Sequence, residues 1–387
     1  MNFLMDNYGR VDLHFVKGNG AVLFDDKRKK YIDFGSGIGV CSLGHANKKL
    51  AKVIAKQART LLHTSNIYKI APQEELAKKM SEFLGFGTYA FFCNSGAEAN
   101  EAAIKMARKY GTTKFEKKKF EILTLKNSFH GRTLATLKAT GQDKFHPDLF
   151  APYIDGFKFF DGIDEIIENI SEETVAVMIE LVQGEGGIMP LDKEKVQKLA
   201  AVLKEKNLLL ITDEVQCGVF RTGEFVTSKI YGIEPDIITF AKGLAGGVPI
   251  GACLAKENIF APGEHGSTFG GNFLATTTAL ATLNELGKLK ITGKLDSTIK
   301  IFSKKLNKIV SDYPQIFEKR VGIGLMQGLV LKDEKNLGVI FEKALKNGVL
   351  VLKSGKNTVR FLPSLNITKA EIKEGFERFK KTLDEIK

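Results

Sequence analysis

Residues 237–251, with the sequence IITFAKGLAGGVPIG, decide the fold. The first four, Ile237 to Phe240, form an apolar run typical of a buried strand. Lys242 follows almost at once, and the glycines after it predict a turn-rich loop, because they suit neither a strand nor a stable helix. A lysine at the edge of a core loses proton affinity and becomes a nucleophile toward carbonyl groups. The alternative is a surface lysine whose stem packs on apolar neighbours.

A second apolar run, residues 208–212, ends in an acid, Asp213. Ligands of open α/β sheets bind beyond the carboxyl ends of the strands, so we expect Asp213 and Lys242 to face one crevice. An amine and a carboxylate placed in this way suit pyridoxal phosphate. The amine binds the aldehyde of the cofactor, and the carboxylate keeps the ring nitrogen protonated.

Two strings, TDEVQCGVFRTG at residues 212–223 and FAKGLAGGVPIGA at residues 240–252, resemble the class III pyridoxal phosphate-dependent aminotransferases. The resemblance covers nearly the whole chain, and several separate motifs occur in the family's order. It implies fold type I of the pyridoxal phosphate-dependent transferases: an α/β fold with a mostly parallel, helix-covered, seven-stranded sheet and a smaller α+β domain. The alternation of predicted strands and helices independently favours such a sheet. The resemblance divides the chain into a large cofactor-binding domain, residues 46–290, and a small domain, residues 1–45 with 291–387.

The resemblance also implies the roles of four residues around the cofactor ring. Lys242 holds the cofactor and then moves the proton as general base and acid. Asp213 pairs with the ring nitrogen, Gln216 bonds the ring hydroxyl, and Phe129 stacks on the ring. A phenylalanine at a strand end also fits an ordinary core position.

The phosphate of the cofactor is expected at Gly96 and Ala97. Ser95 and Glu98 have the spacing of a capping box, which predicts a helix start here, and the free N–H groups of a helix N-terminus attract anions. Ala97 replaces a hydroxyl residue common in the family, so its contact must come from the backbone. The resemblance adds Thr268, which reaches the phosphate of the partner subunit and so implies a homodimer.

Four further residues are implied to bind substrates. Arg132 and Ser267 would hold the carboxylate end of the amino donor, and Arg360 the distal carboxylate of 2-oxoglutarate. Glu185 would pair with Arg360. Ordinary ion pairs and loop caps remain the alternatives for these charged residues.

The implied reaction moves the δ-amino group of N2-acetylornithine to 2-oxoglutarate, yielding glutamate, a step of arginine biosynthesis. Another ω-amino donor, namely ornithine, succinyldiaminopimelate or 4-aminobutyrate, remains open. A pyridoxal phosphate-dependent decarboxylase or mutase, which would share the cofactor site, also remains open.

Charge, composition and residue spacing bear on several other classes of protein. The net charge of +12, from 57 Lys+Arg and 45 Asp+Glu, raises the alternative of nucleic-acid binding. However, the lysines are spread through predicted amphipathic helices, and no aromatic stacking motif accompanies them. No apolar run approaches the roughly 18 residues of a membrane span. The four cysteines and six histidines lack ligand spacing, so we expect no metal site. Residues 1–6 lack the order of a signal peptide, and we expect a cytoplasmic protein.

Overall fold

A computed structural model describes residues 3–386; residues 1, 2 and 387, at the ends of the predicted small domain, lie outside it. Its central sheet has seven strands, in the order Tyr89–Cys93, Gly251–Ala255, Ile237–Phe240, Leu209–Asp213, Thr174–Ile179, Glu121–Leu125 and Phe157–Phe160. Only Gly251–Ala255 pairs antiparallel with its neighbours; every other pairing in this sheet is parallel. The mostly parallel, seven-stranded sheet predicted from the sequence is confirmed.

The strands read as apolar runs because both faces of the sheet are covered. Alternate residues of a strand point to opposite faces, so Leu209 and Ile211 join one apolar cluster while Leu210 joins another. The first cluster contains alanines of the helix Gly96–Thr113, and the second contains leucines of the helix Lys193–Glu205.

Helices occupy most of the chain between the strands. They span Lys48–Thr60, Ala71–Leu84, Gly96–Thr113, Leu134–Ala139, Ile163–Glu168, Lys193–Glu205, Thr227–Tyr231, Phe273–Ile291, Lys294–Asp312, Lys335–Lys346 and Lys369–Asp384. Single helical turns lie at Ser36–Gly39, Asp143–Phe145, Asp148–Phe150 and Lys242–Ala245. Within residues 3–386, no helix combines the length and the apolar character needed to cross a bilayer.

Strands from the two ends of the chain meet in a smaller sheet, which we call the terminal sheet. Its order is Phe15–Asn19, Val22–Asp25, Lys30–Asp33 and Val349–Leu350. The last two strands pair in parallel, Val349 opposite Ile32. A further four-stranded sheet has the order Phe317–Ile323, Met326–Leu331, Thr358–Phe361 and Leu352–Ser354, and a two-stranded ribbon joins Val182–Gln183 to Met189–Pro190.

The first hairpin differs from the sequence-based expectation. Short apolar runs that alternate with glycines predict strands over residues 11–16 and 21–24, joined by a turn at residues 17–20. The structure instead pairs Lys17 with Phe24 and Asn19 with Val22, so the turn narrows to Gly20 and Ala21. Gly20 has φ +58°, a left-handed conformation that glycine adopts without strain, and this permits the shorter turn.

Candidate active site

Four strands of the central sheet deliver polar or aromatic side chains to one edge. Asp213 ends the strand Leu209–Asp213, and Lys242 follows Ile237–Phe240. Glu180 directly follows Thr174–Ile179, and Phe129 comes four residues after Glu121–Leu125. The parallel strands share this carboxyl edge, which is where ligands of such sheets bind.

A cavity of about 400 Å³ opens at this edge. Its walls include seven residues that the sequence predicted: Gly96, Ala97, Phe129, Arg132, Asp213, Gln216 and Lys242. The other four predicted residues, Glu185, Ser267, Thr268 and Arg360, do not line it. In the described part of the chain, no group of three His, Cys, Asp or Glu side chains is arranged to hold a metal ion.

Lys242 combines an unusual backbone with a desolvated amine. Its φ of +40° lies in the left-handed region, which few residues other than glycine adopt. A distant part of the chain holds the loop that contains Lys242, because the Ser42 hydroxyl donates to the Gly243 carbonyl at 2.8 Å. Burial lowers the pKa of the Lys242 amine, and Arg360 lowers it further, while Asp213, Glu185 and Glu180 oppose the shift. The amine is therefore a better nucleophile than an exposed lysine.

Asp213 is held by three hydrogen bonds. Its Oδ2 accepts from Asn100 Nδ2 at 2.8 Å and from His130 Nδ1 at 2.9 Å, and its Oδ1 accepts from the Val215 N–H at 3.0 Å. An ionised carboxylate only accepts, so His130 donates through Nδ1. The sequence alone assigns no functional role to His130 or to Asn100. The available signal was an amide among buried alanines of one helix, since such a group needs a partner.

Glu180 is a second buried carboxyl at the cavity, and sequence reasoning gave it no role. Its Oε2 accepts from the Phe129 N–H at 2.9 Å, and its Oε1 from the Gly184 N–H at 3.2 Å. Burial raises its pKa to about 7; Asp213 adds to the shift and His130 opposes it. Glu180 thus connects the backbone of Phe129 to the glycine loop that carries Glu185.

The helix Gly96–Thr113 presents its N-terminus to the cavity. Ser95 caps it, accepting from the Glu98 N–H at 3.2 Å, and Glu98 accepts from the Asn94 N–H at 2.6 Å. The first N–H groups of a helix have no carbonyl one turn earlier and attract an anion. Gly96 allows close packing here, because a Cβ at this position would lie 2.7 Å from Val215 Cγ1.

Arg360 and Glu185 are in contact beside the cavity. The Nη1 of Arg360 donates to Glu185 Oε1, to Gln216 Oε1 at 3.2 Å and to the Gly184 carbonyl at 3.4 Å. Only 3% of Arg360 is exposed. Because Arg360 occupies the oxygen of the Gln216 amide, the NH2 group of Gln216 is left to donate elsewhere.

Ser267 and Thr268 lie on a loop that contacts one residue of the cavity wall. Asn94, a cavity residue, donates to Ser267 Oγ at 3.2 Å. Thr268 is exposed, so it does not form a wall of the cavity in its own chain.

Comparisons with known proteins agree with this geometry. A sequence model of the family "Aminotransferase class-III" matches residues 4–383. The acetylornithine aminotransferase of Wolinella succinogenes is 50% identical over 99% of this chain and 98% of its own length. That of Methanocaldococcus jannaschii is 46% identical, with 98% and 96% covered.

Solved structures show the same relationship. The N-acetylornithine aminotransferase of Stenotrophomonas maltophilia K279a superposes with a TM-score of 0.84 at 33% identity, covering 98% of this chain and 97% of that one. The ornithine aminotransferase of Toxoplasma gondii ME49 gives a TM-score of 0.92 at 27% identity, with 99% and 93% covered. The chain therefore belongs to the class III aminotransferases and is a pyridoxal phosphate-dependent enzyme.

Proposed function

We propose that this enzyme transfers the δ-amino group of N2-acetylornithine to 2-oxoglutarate, a step of arginine biosynthesis. The observation that carries the proposal is one cavity that joins an amine, Lys242, a ring-nitrogen partner, Asp213, and a guanidinium, Arg132, with a second guanidinium, Arg360, beside it. Relatives such as the Wolinella succinogenes enzyme, matched along their whole length, support the choice of donor.

The residues of the cavity fit pyridoxal phosphate. Asp213 is oriented by two donors on one oxygen, and the buried Nε2 of His130 has no hydrogen-bond partner among the described residues, as expected where a bound group completes a site. Gly96 and Ala97 would hold the phosphate through their N–H groups, and Phe129 would stack on the ring. When bound, pyridoxal phosphate supplies an electron sink for the substrate carbon that loses or gains the amino group.

The chain's own residues supply the proton transfers and the orientation. The desolvated Lys242 amine takes the proton from the substrate carbon and returns one in the reverse half-reaction. Asp213 would keep the ring nitrogen charged. The NH2 group of Gln216 would be available to donate to the ring hydroxyl, since the amide oxygen of Gln216 is engaged by Arg360.

Two arginines match the two carboxylate-bearing substrates. Arg132 and Ser267 would bind the carboxylate end of the donor, and Arg360 one carboxylate of 2-oxoglutarate. Glu185 pairs with Arg360 and would neutralise it while the donor is bound, which would keep the donor carboxylate from the wrong arginine.

Two experiments on the purified protein test this proposal. Borohydride reduction of the yellow holoenzyme should fix the cofactor on Lys242, as read by peptide mass mapping; an adduct on another lysine contradicts the assignment. A panel of amino donors with 2-oxoglutarate should show the highest kcat/KM for N2-acetylornithine. Ornithine is the second candidate, because the Toxoplasma gondii structure superposes closely, and a higher kcat/KM for ornithine would favour it.

We further propose a homodimer in which Thr268 serves the partner's phosphate. Beside Thr268, Phe269 is 63% exposed, Ile67 85% and Tyr68 67%, and Asn66 ties the two segments together by donating to the Ser267 carbonyl at 2.9 Å. A second copy of the chain would cover this apolar rim. We define the rim surface as Ile67, Tyr68 and Phe269.

We also propose that the chain forms a large and a small domain and that the protein is located in the cytoplasm. The terminal sheet, which joins strands from residues 1–45 and 291–387, supports a small domain made of both ends and a large one over residues 46–290. Cys41, Cys93, Cys217 and Cys253 are free thiols, as expected in the reducing cytoplasm.

A further inference from the structure

The segment after Arg132 folds back over its side chain. The helix Leu134–Ala139 leads into the turn Asp143–Phe145, which brings the Phe145 ring to within 4.1 Å of the Arg132 Cζ, measured to the ring centroid. Phe129 lies on another side, with its centroid 5.6 Å from the same Cζ. The two rings meet edge to face, 5.7 Å apart at 74°. The guanidinium thus sits in a corner formed by two aromatic rings.

This corner attracts the guanidinium without using its hydrogen-bond donors. A cation over an aromatic face is held by the ring's quadrupole, whereas a carboxylate partner would occupy the N–H fork. Within residues 3–386, no carboxylate lies within 4 Å of the Arg132 guanidinium, and it donates no hydrogen bond to another residue. Arg132 also lines the cavity. Its fork is therefore free for a ligand.

A second cation strengthens the positive charge at this corner. The Lys144 amine lies 4.8 Å from the Phe145 centroid, and, in the described part of the chain, no carboxylate pairs with it. Two unneutralised cations around one ring favour an anionic group at the cavity mouth.

We propose that Phe145 is a positioning residue for the donor carboxylate. Its ring holds the Arg132 fork in place, and so sets the preference for ω-amino donors that carry a carboxylate at their far end over simple ω-amines. This inference rests on the proposed function and deepens it. Phe145 acts through Arg132 and does not itself touch the reacting atoms.

The test compares two donors that differ only in the carboxylate. N2-acetylornithine and N-acetyl-1,4-diaminobutane share the chain and the acetyl group. Phe145→Leu holoenzyme should show a KM for acetylornithine about 2- to 5-fold higher, the range of a cation–π contact at an exposed arginine such as Arg132, with kcat unchanged. The KM for the donor without the carboxylate should not change. Phe145→Tyr retains an aromatic face and should behave as wild type.

A matched control and a binding measurement isolate the effect. Phe150→Leu makes the same change in the adjoining turn, at a side chain that is 56% exposed, and should change neither KM. N-acetylnorvaline, which is acetylornithine without its δ-amine, cannot react. Its calorimetric Kd for the holoenzyme should rise in Phe145→Leu by the same factor as the KM for acetylornithine.

Three results would overturn the inference: an equal rise of KM for both donors, a fall of kcat alone, or an unchanged Kd for N-acetylnorvaline. Failure of the proposed function looks different, because the wild-type enzyme itself would then not use acetylornithine. If it prefers ornithine, the same comparison is made between ornithine and 1,4-diaminobutane, and Phe145→Leu should again raise only the KM of the donor with the carboxylate.

Discussion

Asp213 owes its orientation to two side chains that are far from it in sequence. Asn100 and His130 both donate to Oδ2, so the carboxylate cannot rotate without breaking two buried hydrogen bonds. An Asp213→Asn variant keeps the shape but loses the charge that stabilises a protonated ring nitrogen. We expect it to retain the cofactor, seen by absorbance, and to lose about 100-fold or more in kcat. Near-normal turnover would remove Asp213 from the mechanism.

The buried Glu180 makes stability depend on pH. Its pKa is about 7 in the folded chain against the ordinary 4.5, so the folded state binds more protons between these values. The stability contributed by protonated Glu180 is complete below pH 4.5 and is lost as the pH rises through 7.

We therefore expect the free energy of unfolding to fall less steeply between pH 5 and 7 in Glu180→Gln than in wild type, as measured by denaturant titration. Glu205→Gln, at an exposed position of the helix Lys193–Glu205, should keep the wild-type slope. Equal slopes in all three proteins would contradict the role of Glu180.

The Arg360–Glu185 pair predicts opposite effects on the two half-reactions. Arg360→Ala should slow the reaction with 2-oxoglutarate much more than that with the donor, because a lost charged hydrogen bond costs roughly 1.5–3 kcal/mol. Glu185→Ala should chiefly slow the donor half, since Arg360 then competes for the donor carboxylate. Stopped-flow absorbance of the bound cofactor separates the halves. Equal slowing of both halves by both variants would show that the pair is only structural.

At the scale of elements, the start of the helix Gly96–Thr113 can pack against Val215 because its first residue, Gly96, has no side chain. A methyl group at Gly96 would lie 2.7 Å from Val215 Cγ1, so either the helix start or the Asp213–Gln216 loop must shift. Gly96→Ala should raise the Kd of pyridoxal phosphate about 10-fold or more, in line with the cost of overpacking, as measured by titration of the apoenzyme. Gly87→Ala, where the space is open, should leave the Kd unchanged.

Apolar runs in the sequence predicted those strands of the central sheet that are buried on both faces. The strand Ile237–Phe240 has the predicted limits, because its apolar run begins after Asp236 and is soon followed by Lys242 and a series of glycines. The strand Phe317–Ile323 was not predicted, since its sequence FEKRVGI has charges at its centre. Phe157–Phe160, at the edge of the central sheet, was missed for a similar reason: Lys158 interrupts it.

Site residues, like strands, could be predicted only where an apolar run in the sequence marks their position. Asp213 and Lys242 can be located from the sequence, because each lies at or just after the end of an apolar run. His130 and Phe145 act through side-chain contacts between elements, and no local pattern reveals those contacts. For Asn100 the local signal is limited to a polar residue among the alanines of one helix. The bond from Asn100 to Asp213 spans 113 positions, and the bond from His130 spans 83.

At the scale of the whole molecule, the rim surface predicts the assembly. The enzyme should sediment at twice the 42.7 kDa of one chain. Phe269→Asp places a charge where a second copy is expected, so it should sediment as the single chain and lose activity, because Thr268 no longer reaches a partner's phosphate. Leu149→Asp, at a position 89% exposed and outside the rim surface, should remain a dimer. A fully active monomer would refute a shared site.

The terminal sheet can be completed only after residues 349–350 have been synthesised. The Ala21 N–H donates to Glu371 Oε1, 350 positions away, and Lys30–Asp33 pairs with Val349–Leu350. A ribosome adds roughly 5–20 residues per second, so about 16 to 63 s separate the synthesis of residue 33 from that of residue 350 in the partner strand. During that interval Lys30–Asp33 is an open edge, able to pair with other nascent chains. A chain that ends before residue 349 lacks the strand that pairs with Lys30–Asp33, so its terminal sheet cannot close.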